Sequence, residues 1–217
     1  MTSLKGPIRI IGQGIAGTSL AWQCYFQGIP FQIIDDGHRR SSSLAAAGLF
    51  NPLILKRRRL AWRAVEFFEQ IPSFYLKVEE VLSKKIYHPK GIWRRISDVK
   101  EANDWMSLKD KLGFDQFLGK QVRELEGSDH IEAPFGFQEV VGAGYVDVAA
   151  YLEYSRAFFE SQNSYQQSSY EYQKADEHST TVLARGISEQ DTAEIFGTVP
   201  FSPAKGHSLE ITSVKIR

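Results

Sequence analysis

The sequence is poor in cysteine, has no excess of charge of either sign and contains no long apolar run. Its single cysteine, Cys24, excludes an internal disulfide framework and a cysteine-rich metal site. Because 26 basic residues balance 26 acidic ones, no overall field favours nucleic acid or an anionic membrane. The first residues reach an apolar strand at once, and nowhere do about eighteen apolar residues run together. These absences predict an untargeted, cytoplasmic protein with no membrane contact.

The segment from Ile8 to Asp36, IRIIGQGIAGTSLAWQCYFQGIPFQIIDD, predicts a strand, a turn, a helix and a second strand. Its glycines form the pattern G-x-G-x-x-G directly after the first strand, at the point where the helix begins. In that context Gly12 permits a tight turn, Gly14 lets the backbone approach a pyrophosphate, and Gly17 lets helix and strand pack closely. The amides of Ile15 and Ala16 would then face the phosphates.

Acidic residues close the second strand of this segment. Asp35 stands at about the separation where a carboxylate accepts hydrogen bonds from an adenosine ribose, and Asp36 follows it. A carboxylate there repels a 2′-phosphate, which favours FAD or NAD over NADP. The alternative is a glycine-rich connection that binds no ligand. The strand before, the helix after and the acid in place favour dinucleotide binding.

A second motif, from His38 to Trp62, is a polar run followed by small residues and Asn-Pro. With this motif the chain resembles the FAD-dependent oxidoreductases of the D-amino-acid oxidase superfamily. The likeness is to the branch that contains glycine oxidase and the oxidase of tRNA methylaminomethyl-thiouridine. The resemblance rests on the segments GIAGTSLAW, SSSLAAAGLFNPL, LKRRRLAW, APFGFQEVVGAGYVD and PFSPAKGHSLEI.

The second motif supplies further candidate binding residues. Hydroxyls of Ser42 and Ser43 can meet phosphate oxygens, and Arg39 or Arg40 can lie near the adenosine ribose. The small residues that follow let backbone amides lie against a flat ring. The resemblance places the isoalloxazine and a later part of the dinucleotide near Ala46, Ala47, Gly48, Leu49 and Gly186. A solvated basic turn and a buried helix start are the alternatives.

These patterns predict an α/β fold, with a Rossmann-like FAD-binding domain and a partial substrate domain built on a mixed or antiparallel sheet. The expected FAD-binding domain comprises residues 1–85 and 140–198, and the substrate domain residues 86–139 and 199–217. The superfamily is substantially longer, so the chain is expected to be truncated at its C-terminus, without the far wall of a substrate pocket. Catalytic residues are not identified, and no metal site is expected.

Elsewhere, helical spacing from Leu60 to Lys84 predicts one or two amphipathic helices broken at Pro72, with Trp62 and Phe67 in the core. A helix after Gly144 is expected to bury Val148, Tyr151, Leu152, Ser155 and Phe159 on one face. The polar stretch 164–176 is expected to hold an edge strand, and residues 180–187 are expected to form a β-branched strand. The resemblance implies that this strand is parallel and that a segment with Lys205 and Gly206 re-enters the substrate domain.

The leading functional hypothesis is an FAD-dependent oxidoreductase that oxidises an amine or amino acid by hydride transfer to the flavin. The first alternative is a tRNA wobble-uridine side-chain oxidase, indicated only by the basic run Lys56 to Arg59, which as a pattern is more typical of a solvated face. The second is a catalytically silent dinucleotide-binding fragment or partner subunit. A nicotinamide dehydrogenase is disfavoured because the second crossover helix and an acid–base pair are missing.

Overall fold

The computed structural model describes residues 6–37, 41–126, 130–170, 180–186 and Gly197. The strands are β1 Ile8–Ile11, β2 Phe31–Asp35, β3 Leu49–Phe50, β4 Leu53–Ile54, β5 Arg59–Leu60, β6 Tyr87–Pro89, β7 Ile92–Arg95, β8 Leu118–Val122, β9 Phe137–Val140, β10 Gly144–Val146, β11 Tyr165–Gln167 and β12 Thr180–Leu183. The helices are α1 Ile15–Phe26, α2 Ser42–Ala45, α3 Ala64–Leu82, α4 Val99–Leu108 and α5 Val148–Ser161, with a 3-10 turn at Leu55–Arg57. No helix within these ranges is both long and apolar enough to span a membrane.

The described residues divide into two compact units. The first contains those up to Ala47 and from Val148 onwards, and the second is Gly48–Asp147. The division expected from the sequence placed residues 48–85 and 140–147 with the first unit. They cluster with the second because helix α3 contacts β6, and because β10 pairs with both β3 and β6.

The first unit is a parallel sheet with the strand order β11-β2-β1-β12. Its central strand β1 is an apolar run whose Ile10 is fully buried. Strand β11 lies at one edge, as the sequence predicts, and β12 runs parallel to β1. Such an all-parallel sheet is expected where helices cover strands rich in β-branched residues.

Helices α1 and α5 pack on each other through aromatic side chains. Trp22 of α1 is fully buried, and its ring centroid lies 5.0 Å from that of Phe158 and 4.9 Å from that of Phe159. The indole nitrogen of Trp22 donates to the hydroxyl of Ser155 over 2.8 Å, so the burial leaves neither polar group unsatisfied. The buried face of α5 consists of the residues that its three-four spacing predicts, Val148, Tyr151, Leu152, Ser155 and Phe159.

The second unit contains two three-stranded antiparallel sheets and a hairpin. The sheets have the orders β3-β10-β6 and β7-β9-β8, and β4 pairs with β5. Strands β6 and β7, which adjoin in sequence, therefore belong to different sheets. A core cluster lies against the hairpin and helix α4, and its members are Leu53, Trp105, Leu108, Phe114, Leu118 and Val140.

Two expectations for this unit are corrected. Helix α3 continues through Pro72 instead of breaking there. Proline removes one backbone hydrogen bond, and this cost is offset by the hydrogen bonds of the other turns and by the burial of Ala64 and Val78. Trp62 and Phe67 are 76 % and 39 % exposed, so they are surface residues and not core. Helical spacing alone does not tell which face of a helix is covered.

A buried carboxylate ties helix α4 to strand β7. Glu101 accepts hydrogen bonds from the amide and hydroxyl of Ser97, at 2.8 and 2.7 Å, and from Trp105 at 3.3 Å. The guanidinium of Arg94 lies 3.2 Å away. Burial raises the pKa of Glu101, but these donors outweigh it and lower the pKa to about 2.

The first prediction concerns the pH dependence of stability. Because the folded pKa lies below the unfolded value, Glu101 stabilises the fold above about pH 4.5 and loses that contribution as the pH falls towards 2, on the order of 2 kcal/mol in all. Urea unfolding of wild type and Glu101→Gln at pH 6, 4 and 3 should show a stability difference that shrinks with falling pH. The exposed Glu124→Gln is the control and should follow wild type throughout. A constant difference for Glu101→Gln would contradict this account.

Candidate functional site

The loop between β1 and α1 is compact because glycines in the loop and in the first turn of the helix let the backbone segments approach one another closely. Gly12 has a φ of +102°, and a Cβ there would lie 2.6 Å from the carbonyl oxygen of Ala184. A Cβ on Gly17 would lie 1.9 Å from the carbonyl oxygen of Gly12. Gly14 immediately precedes the helix, with extended backbone. Only Gly12, Gln13 and Gly14 therefore separate the strand from the helix.

The N-terminus of α1 presents backbone amides and no negative charge. Its first turn contains no acidic side chain, and Gly14 supplies no side-chain cap. The amide of Ile15 donates to the hydroxyl of Ser43 over 3.1 Å. Amides at the start of a twelve-residue helix, with the positive end of its dipole, favour an anion here.

Asp35 is almost completely buried, with 4 % of its surface exposed. One carboxylate oxygen accepts from the amide of Gln13 over 2.7 Å, and the other accepts from the amide of Gly37 over 2.8 Å. The guanidinium of Arg156 lies 3.6 Å from the second oxygen. The carboxylate that the sequence assigns to ribose binding thus also holds the glycine loop. Its contact with a ribose stays a prediction.

These residues surround a cleft of about 700 Å³ in the first unit. The cleft lies at the carboxyl ends of β1, β2 and β12, the edge at which parallel α/β sheets bind ligands. Its volume falls within the usual range for small-molecule sites, roughly 300–1,000 Å³. Of the predicted site residues it is lined by Gly12, Gly14, Ile15, Ala16, Asp35, Asp36, Ser42, Ser43 and Gly186.

The remaining predicted residues lie elsewhere. Gly17 packs against the carbonyl of Gly12 and supports the loop without lining the cleft. Ala46 and Ala47 follow helix α2, are exposed, and do not line the cleft. Gly48, with a φ of +68°, and Leu49, 72 % exposed, belong to the second unit. Arg39 and Arg40 lie outside the described residues, as do Lys205 and Gly206.

Sequence reasoning missed several residues of this site. Ser168, Tyr170 and Arg185 line the cleft where β11 and β12 end. Gln13 and Arg156 contact Asp35. Arg185 stands next to the predicted Gly186, so its position in the chain was a usable signal. Arg156 gave no signal, because it is one of several charged residues on a helix.

The basic run forms a hairpin in the second unit. Leu53 and Leu60 pair across β4 and β5. Leu53 belongs to the core cluster, and Leu55 and Leu60 pack against it. Arg58 has a φ of +46° at the turn, and its guanidinium lies 2.9 Å from Asp104.

The other cations of the run, Lys56, Arg57 and Arg59, are exposed, and within the described part of the chain they form no ion pair. Just beyond the hairpin the exposed Trp62 has the guanidinium of Arg63 5.3 Å from its ring centroid. The hairpin turn thus presents cations close in sequence to an exposed aromatic ring.

Comparison with known proteins identifies the fold. No family model matches the chain. Among solved structures it is similar to L-amino acid deaminase from Proteus myxofaciens in complex with anthranilate, with a TM-score of 0.54 and 17 % identity over 76 % of the chain. Glycine oxidase from Bacillus cereus gives 0.53 and 20 % identity over 74 %. L-α-glycerophosphate oxidase from Mycoplasma pneumoniae, with FAD bound, gives 0.50 and 14 % over 74 %.

The chain spans 38 %, 45 % and 43 % of these three proteins, less than half of each. The similarity to these structures shows a mixed α/β fold, with a parallel sheet and antiparallel sheets, like the folds of FAD-binding oxidoreductases. The fold class predicted from the sequence is confirmed.

The second prediction tests the glycine loop through stability. Alanine favours a helix over glycine by about 1 kcal/mol, yet Gly17→Ala should lower the free energy of unfolding by about 3 kcal/mol, because its Cβ meets a backbone carbonyl. Gly14→Ala, with a φ of −73° and Ser43 Oγ 3.1 Å from its Cβ, should cost less than about 1 kcal/mol. Thermal or urea unfolding measures both.

Gly28→Ala is the matched control for backbone strain. Gly28 has a φ of +65° at the other end of α1, and a Cβ there meets nothing within 4 Å. Its cost should lie near 1 kcal/mol, which reports the left-handed conformation alone. If Gly17→Ala were no less stable than Gly28→Ala, the close approach of α1 to β1 would be wrong.

Proposed function

We propose that this chain binds FAD and contributes to an oxidoreductase that oxidises an amine or amino acid. The observation that carries the proposal is the cleft at the carboxyl edge of the parallel sheet, where loop amides and Asp35 converge. The fold similarity to an L-amino acid deaminase and a glycine oxidase supports the substrate class, and the FAD-bound glycerophosphate oxidase supports the cofactor.

The residues present fit the adenosine diphosphate half of such a cofactor. Amides at Gly14, Ile15 and Ala16 would hold the diphosphate together with the hydroxyls of Ser42 and Ser43. A Cβ on Gly14 would lie 3.1 Å from the Ser43 hydroxyl, so a large side chain there would crowd the place where a diphosphate would approach. Asp35 and Asp36 would hold the ribose, and their charge disfavours a 2′-phosphate.

The flavin half of the cofactor is assigned from the resemblance. Ala46, Ala47, Gly48 and Leu49 would border the ring, whereas Arg40 and Gly186 would adjoin the dinucleotide. When bound, the flavin supplies the chemistry by accepting a hydride from the carbon next to the substrate nitrogen. The contribution of this chain is to bind and orient the cofactor.

The third prediction is FAD binding followed by reduction. The purified protein, titrated with FAD, should show a shifted flavin absorption band and quenched flavin fluorescence, and ADP should displace the flavin. Gly14→Val should abolish binding by filling the approach to the loop, whereas Gly28→Ala should bind as wild type. Failure of both FAD and ADP to bind would contradict the proposal.

Substrate oxidation is then tested without oxygen. Glycine, sarcosine and D-alanine, added anaerobically to the loaded protein, should bleach the flavin band if the chain oxidises amines. Bound FAD that none of these compounds bleaches would favour the alternative of a catalytically silent dinucleotide-binding subunit. A bleached flavin with peroxide release on readmission of air would identify oxygen as the acceptor.

A tRNA substrate is the second candidate, favoured by the basic hairpin. The cations Lys56 to Arg59, apart from Arg58, form no ion pair with the described acidic residues, and they lie close in sequence to the exposed Trp62. Cations and an aromatic ring together supply the electrostatic and stacking contacts by which proteins bind single-stranded RNA. Phosphate contacts release counterions, so binding through this hairpin would weaken with salt.

The fourth prediction tests the hairpin with charge-matched variants. If tRNA binds here, Lys56→Gln/Arg57→Gln/Arg59→Gln should lower affinity at low salt and flatten the slope of log affinity against log salt by about two. Lys77→Gln/Lys109→Gln/Lys111→Gln removes the same charge from exposed positions of the same unit and should leave the slope unchanged. Fluorescence anisotropy with labelled tRNA measures both. Equal losses in the two variants would contradict a specific site.

A further inference from the structure

Gln13, the residue between the first two glycines, is buried, and both polar atoms of its side chain form hydrogen bonds. It is 3 % exposed. Its side-chain nitrogen donates to the carbonyl of Leu152 over 2.9 Å, and its side-chain oxygen accepts from the guanidinium of Arg156 over 2.5 Å. Both partners belong to helix α5, so this helix holds the glycine loop through one side chain.

Arg156 closes a ring of contacts around the loop. Its guanidinium reaches the side-chain oxygen of Gln13 and lies 3.6 Å from Asp35, whose other oxygen accepts the amide of Gln13. The same guanidinium lies 5.3 Å from the ring centroid of Tyr165, which is a cation–π contact. We call Gln13, Asp35 and Arg156 the loop clamp.

We propose that Gln13 and Arg156 are positioning residues that hold the glycine loop in its binding conformation before a ligand arrives. This inference rests on the proposed dinucleotide site. A free loop would lose conformational entropy when it closes on a diphosphate, and a loop already fixed by the clamp avoids that cost. Neither residue lines the cleft, so each acts through the loop and not by contact with the ligand.

Within the clamp, Arg156 also offsets the negative charge of Asp35 next to the proposed diphosphate site. A buried carboxylate beside a diphosphate would repel it, and Asp35 lines the same cleft as the α1 N-terminus. The guanidinium of Arg156 offsets this charge from the side of helix α5. The amide of Gly37 donates to the carboxylate oxygen that Arg156 faces. The carboxylate thereby fixes the loop without leaving an unbalanced negative charge at the anion site.

The fifth prediction uses hydrogen exchange and ADP binding together. In ligand-free protein, Arg156→Met and Gln13→Ala should speed exchange of the backbone amide at position 13 at least about tenfold, because its bond to Asp35 loses support. The amide of Ile33, bonded to the carbonyl of Ser164 over 2.9 Å in the sheet, should exchange as in wild type. A parallel rise at both amides would mean global destabilisation and would overturn a local clamp.

ADP affinity, measured by calorimetry, should fall about tenfold in each single variant. The double variant Gln13→Ala/Arg156→Met should bind no more weakly than the weaker single variant, because both changes break the same clamp. Arg156→Lys keeps the charge without the fork of donors and should recover part of the affinity. Arg9→Met, an exposed arginine on β1, is the matched control and should bind ADP as wild type.

The outcomes separate the clamp from the site itself. If wild type binds neither ADP nor FAD, the proposed function and the clamp both fail. If wild type binds ADP and the clamp variants bind it equally well, the clamp alone is overturned. Additive losses in the double variant would also overturn it, because independent contributions are not those of one clamp.

Discussion

The site depends on the close approach of helix α1 to strand β1. With no side chain on Gly17, the helix sits against the carbonyl of Gly12, and its first amides come to the carboxyl edge of the sheet. The amide of Gly12 reaches the carbonyl of Ile34 over 2.9 Å, which ties the loop to the neighbouring strand. Asp35 at the end of that strand then meets the amide of Gln13. A helix displaced outward would lose the anion-binding amides and the carboxylate contact together.

Local pattern was sufficient for the parts of the fold that are local. The strand, glycine loop, helix and second strand were all predicted, because each is encoded by residues within about thirty positions and their periodicity changes at the glycines. Helix α5 was predicted down to its buried face, since Tyr151 and Phe159 repeat at helical spacing. Strand β12 followed from its run of β-branched residues before Gly186, and its parallel direction was implied by the family resemblance.

Contacts distant in sequence were not predictable in this way. The bond between Gln13 and Arg156 joins residues 143 positions apart, and no local pattern marks either partner. Trp62 is a large apolar residue, a type that favours the core, but its side chain lies on the surface. Helix α3, which follows it, buries Ala64 and Val78 instead. Strands β6 and β7 adjoin in sequence but pair in different sheets, since their partners β10 and β9 lie far downstream. In each case tertiary pairing decided what local propensity left open.

The separation of Gln13 from Arg156 has a consequence for synthesis on the ribosome. At roughly 5–20 residues per second, the glycine loop emerges about seven to thirty seconds before the guanidinium that completes its bonding. During that interval the nascent β1-α1-β2 segment lacks its partner strands β11 and β12 as well as helix α5. A dinucleotide that binds the proposed site would therefore meet the completed loop only after helix α5 and strands β11 and β12 have formed.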